Sequence, residues 1–69
     1  MDYFDIKIRD TDYLVKPFIE GDNLLFTTEV GGKEVLFGVT GNGLEAIDPP
    51  DVDPELLVEI ASEIDSYMT

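Results

Sequence analysis

Apolar and polar residues alternate with a period of two from Tyr3 to about Ala46, broken at short intervals by turn residues, and after a proline-rich break the period changes to that of a helix. The first segment, Tyr3 to Ile8, sets Phe4, Ile6 and Ile8 on one face against Tyr3, Asp5 and Lys7 on the other. A turn over Arg9-Asp10-Thr11-Asp12 leads into a second strand, Tyr13 to Phe18. In the expected register Ile8 faces Tyr13, Ile6 faces Val15, and Asp5 faces Lys16 as an opposite-charge pair. Pro17 cannot donate to a ladder, so it belongs at a bulge, at a strand end, or where its missing N–H faces no partner.

Glu20-Gly21-Asp22-Asn23 predicts the next turn, followed by strands Leu24 to Val30 and Lys33 to Val39 flanking the two-residue loop Gly31-Gly32. That loop sets Phe26 opposite Phe37, Leu24 opposite Val39 and Thr28 opposite Val35 on the core side. Leu25, Thr27, Glu29, Glu34 and Leu36 then point away, with Glu29 directly opposite Glu34. Asn42-Gly43 carries the signature of a type I′ turn, after which Leu44 and Ala46 rejoin the core face of a short fifth strand.

Asp48-Pro49-Pro50-Asp51-Val52 reads as a stiff connector, and Asp53-Pro54-Glu55 supplies an N-cap, a proline at the first helical position and an acid in the first turn. Leu57, Ile60, Ala61, Ile64 and Met68 recur at helical spacing, with Leu56 and Tyr67 beside them. This stripe is expected to cover the sheet face bearing Phe4, Ile6, Val15, Phe26, Phe37 and Val39. The expected fold class is therefore α+β: residues 1–69 form one small domain, a five-stranded antiparallel β-meander with one C-terminal α-helix packed on one face.

Size and composition narrow the chemistry. A 69-residue chain buries only about 60% of its unfolded surface, and with no Cys and no His it has neither a disulfide framework nor a Cys/His zinc site to help it. Packing must hold it together. The missing thiol and imidazole also remove the thiol nucleophile and the usual general base. Ser62 and Ser66 are the only serines, and the glycine pairs sit in turns that no helix follows, so no phosphate loop is present and a catalytic role is not expected.

Charge is unevenly distributed. Positions 1–33 hold seven acids and four bases, and positions 34–69 hold nine acids and no base, contributions of −3 and −9 to the net −12. Nucleic-acid phosphates and anionic bilayers would repel such a chain, which leaves basic proteins and metal ions as partners. The opening Met1-Asp2-Tyr3 has no basic leader-like region, and no apolar run approaches the ~18 residues of a membrane span, so a cytoplasmic protein is expected.

Three groups of residues are candidates for binding. Glu55, Glu59, Glu63 and Asp65 on the outer helix face, with Ser62 and Ser66 among them and Asp51 in the connector, form an acidic surface suited to a basic partner; the alternative is a solubilising face. Tyr3, Leu14, Phe18, Leu25 and Leu36 are expected on the sheet face away from the helix, as an apolar patch for a partner or a second copy, unless the sheet coils enough to bury several of them. Asp48, Asp51, Asp53 and Glu55, with Asp10 and Asp12, offer oxygens to a hard cation such as Ca²⁺, but they lack the spacing of an EF-hand loop and are explained as connector and cap. The expected function is a small acidic protein-binding module that docks on a cationic partner or self-associates, without a cofactor. A structural domain with no acidic partner and a weak Ca²⁺-binding module are the alternatives.

Overall fold

The computed structural model describes residues 2–47 and 50–68, so Asp48 and Pro49 of the expected connector lie outside the described residues. Among those described, five strands run β1 (Phe4–Ile8), β2 (Thr11–Glu20), β3 (Asn23–Val30), β4 (Lys33–Thr40) and β5 (Gly43–Ile47), followed by helix α1 (Pro54–Met68). The strands pair in sequence order as one antiparallel meander, and the fold is α+β.

Turn chemistry sets each register. Gly31 and Gly32 both take positive φ, 57° and 80°, the left-handed pair a tight hairpin requires. The resulting ladder places Phe26 opposite Phe37, Thr28 opposite Val35, and Glu29 opposite Glu34, as the alternation predicted.

Two turns depart from expectation. Arg9 and Asp10 form a two-residue turn with φ of 51° and 62°, where four loop residues were expected. The β1–β2 register accordingly moves by two: Ile6 faces Tyr13 and Phe4 faces Val15, so Asp5 stands opposite Leu14 and not Lys16, and the opposite-charge neighbours are Lys7 and Asp12. An even shift keeps every side chain on its face, which is why the core assignment survives. In the last hairpin Thr40 pairs with Gly43, and Asn42 is not left-handed; Gly43, with φ of 100°, takes the unusual backbone instead. The Thr40 hydroxyl accepts from the Asn42 N–H at 3.1 Å, a local bond that competes with the expected type I′ geometry.

Strand β2 changes partner half-way, pairing with β1 from Thr11 to Val15 and with β3 from Lys16 to Glu20. Pro17 lies past that change, opposite Phe26, where the β1 ladder has ended.

The core consists of Phe4, Ile6, Ile8, Val15, Phe26, Val30, Val35 and Phe37 from the sheet, and Leu57, Ile60, Ala61 and Ile64 from the helix. Contacts of α1 concentrate on β5 and β1, the outermost strands, so the sheet curls around the helix. Tyr67 stacks on Phe4 with ring centroids 3.9 Å apart, and Phe4 meets Phe26 edge-on, which ties the last helical turn to the core. Coverage is incomplete at the other end of the same face. Val39, expected beneath the helix, is 72% exposed, and Met68 is also exposed because the stripe reaches the sheet through Tyr67.

Candidate functional site

The N-terminus of α1 is built as its sequence dictates. The Asp53 carboxylate accepts from the Glu55 N–H at 3.0 Å, and the Asp53 carbonyl takes the Leu57 N–H at 3.2 Å. Arg9, projecting from the β1–β2 turn, brings its guanidinium to the same place. It donates to Glu59 and lies 3.6 Å from the Asp53 carboxylate. The hydrogen bond to Glu59 raises the Arg9 pKa above its ordinary value, with the charges of Glu59 and Asp53 adding to it and partial desolvation opposing it.

This contact divides the expected acidic face. Glu55, Glu59, Ser62, Glu63, Asp65, Ser66 and Asp51 are all exposed. Glu59 and Glu63, however, line a shallow depression with Lys7 and Arg9, so on that side the carboxylates have cations from the first hairpin beside them. Asp65 lies on the other side, towards β5. There a groove of about 520 Å³ lies between strand and helix, walled by Leu44, Ala46, Leu57, Val58 and Ala61, with Glu45 and Asp65 in its lining. Glu55 lines, with Glu59, a further hollow on the helix that shares Pro54 and Val58 with the groove. No Lys or Arg lines the groove.

Val58 and Glu45 were not among the candidates read from sequence. The signal was present in Val58, an apolar residue outside the buried helical stripe and 69% exposed. The strand that would complete the groove could not be named without knowing that α1 leans on β5.

The outer sheet face is less bare than the alternation implied. Tyr3, Leu14 and Phe18 are exposed as expected, but Leu25 and Leu36 are half-buried. Gly38 explains part of this: a Cβ there would come within 2.4 Å of Ile47 Cδ1 and 3.0 Å of Leu25 Cδ2, so both side chains fold into the space above the glycine. At the rim, the Lys16 ammonium sits 5.8 Å from the centre of the Tyr3 ring.

Among the described residues no three acidic side chains gather to hold a metal ion, and Asp53 is engaged by the helix cap and Arg9. No described helix is long and apolar enough to cross a membrane. Compared with known proteins, the chain matches no family model, no curated protein and no solved structure.

Proposed function

We propose that the chain is a small, non-catalytic module that binds a cationic protein partner where α1 and β5 meet. One observation carries this reading: the apolar groove has Glu45 in its lining and no Lys or Arg, while Lys7 and Arg9 lie with Glu59 and Glu63 on another flank of the helix. Apolar surface supplies affinity, and the net charge of −12 supplies steering and partner choice. The absence of His and Cys supports a role without catalysis.

The test is the affinity of a lysine-rich, valine-containing synthetic peptide at low and high ionic strength, for wild type and for charge reversals. Binding should weaken steeply with salt and be lost in Glu45→Lys/Glu55→Lys, while Glu63→Lys, on the flank with Lys7 and Arg9, should bind as wild type does. Unchanged affinity in the double reversal would remove the reading.

Self-association through the outer sheet face is the second reading, supported by the exposure of Leu14, Phe18 and Ile47. Two copies would each bring a net charge of −12, which counts against it. Sedimentation decides: a concentration-dependent dimer dissociated by Phe18→Lys would favour the seam, and a monomer at high concentration would end it.

A further inference from the structure

The helix leaves one end of its sheet face open. Its contacts lie mainly with β5 and β1, and at the end where β2 turns into β3 and β4 into β5 a row of apolar residues crosses the sheet. Ile19 pairs with Leu24, and Val39 with Leu44. Continuing the Leu25–Gly38 pairing by one step sets Leu24 beside Val39, and the two line one hollow together with Asp22. The row therefore holds one residue from each strand between β2 and β5, all four with the parity of the core. Leu24 and Leu44 pack partly against that core, but Ile19 is 66% and Val39 72% exposed. Leu44 also lines the β5–α1 groove, so row and groove meet there.

Charge at this end has one sign. The β2–β3 turn carries Glu20 and Asp22, both exposed, and among the described residues no ion pair engages either. Tyr67 stacks over Phe4 at the start of β1, which brings the carbonyl end of α1, with no base in its last turn, to the same end of the sheet. Lys7, Arg9 and Lys33 lie at the opposite end, beside the Arg9-Asp10 and Gly31-Gly32 turns, and Lys16 lies on the outer face against the Tyr3 ring.

From this row we infer that the partner presents an amphipathic helix with basic flanks, which lies across the strands from Ile19 to Leu44 and ends at the groove. The inference rests on the cationic-partner reading and adds to it the form of the partner and the second half of its footprint. A row that crosses strands offers side chains and no main-chain edge, so its occupant is held by apolar anchors. Neighbouring strands are about 4.8 Å apart and successive helical turns 5.4 Å, so anchors at i, i+4 and i+7 keep step with the row. Three strand spacings make roughly 14 Å, the length of about ten helical residues. Bases flanking the anchors then reach Asp22 and Glu20 at the rim. A second copy fits less well: α1 buries its apolar stripe in its own core, and two rows packed together would join two chains of net charge −12 with no base lining the contact.

The probe is a capped peptide of about 14 residues, with Leu at i, i+4 and i+7 on one face and Lys on its flanks, compared with the same residues reordered to alternate. Ile19→Thr/Val39→Thr removes the exposed apolar groups while keeping β-branched side chains in the strands, and the unchanged urea midpoint of the variant checks that the fold persists. The helical peptide should gain helical circular dichroism on binding, shift the amides of Ile19, Leu24, Val39 and Leu44, and bind the double variant at least about ten-fold more weakly than wild type. Asp22→Asn should weaken it at low salt only. If the double variant binds as wild type does, or the reordered peptide binds as tightly as the helical one, the helical partner is overturned and cationic docking at the groove stands. If neither peptide binds at any ionic strength, both fall. A wild-type dimer in sedimentation that Ile19→Thr/Val39→Thr dissociates would overturn the basic helix in favour of a second copy.

Discussion

The hydroxyl of Thr28 donates to the main-chain carbonyl of Leu14 at 2.8 Å, across the point where β2 leaves β1 and joins β3. Continuing the β2–β3 register would bring Thr28 opposite Val15, but the main-chain ladder stops at Lys16 and Thr27. A side chain thus serves a carbonyl that the ladder no longer serves. Thr28 is itself buried, the one buried polar side chain among the described residues, so its hydroxyl needs this partner as much as Leu14 does. Thr28→Val, which keeps the shape and removes the hydroxyl, should cost about 1–3 kcal/mol in urea unfolding. Thr28→Ser should retain the bond and lose only a buried methyl, about 1 kcal/mol. Equal stability of the valine variant and wild type would show that the bond contributes nothing net.

Arg9 joins the first turn to the helix cap and the second helical turn, and it does so from a left-handed backbone position. Arg9→Met should lower the urea midpoint at low ionic strength, and the gap from wild type should close as salt rises, because all three partners are about half exposed. Asp53 has a second role as cap. Asp53→Asn should keep the Glu55 N–H bond and lose only the charge, whereas Asp53→Ala loses both and should cost about 1 kcal/mol more. Asn and Ala variants of equal stability would contradict the assignment of Asp53 as the cap.

Glu29 and Glu34 stand directly opposite each other on exposed positions of β3 and β4. Like charges in a cross-strand pair repel, so Glu34→Lys should stabilise the fold by about 0.2–1 kcal/mol at low salt. A neutral or destabilising result would mean that the pair is already relieved by its surroundings.

Much of this architecture was legible because its signals are local. Gly31-Gly32 fixes one hairpin and hence the pairing of Phe26 with Phe37, and Asp53-Pro54 fixes where the helix begins. What escaped the sequence were features that depend on non-local packing or on turns without glycine. Arg9-Asp10 carries no glycine yet adopts the left-handed pair, which moved the first register by two without changing which face is buried. Val39 has the right parity for the core but lies beyond the reach of the helix, and only the three-dimensional course of α1 reveals this. The same holds for the candidate site. The acidic helix face could be read from Glu55, Glu59, Glu63 and Asp65, but its division into a flank with Lys7 and Arg9 and a flank without bases depends on where the first hairpin delivers Arg9.

The central claim, that the β5–α1 groove receives a cationic partner, is tested most directly by mapping backbone amide shifts during titration with the lysine-rich, valine-containing peptide. The expected map is a continuous set of changes over Gly43–Ile47 and the groove-facing helical residues Val58, Ala61, Ser62 and Asp65, fading as salt is added. Changes confined to Leu14, Phe18, Leu25 and Leu36 on the outer sheet, or the absence of any change at low salt, would contradict it.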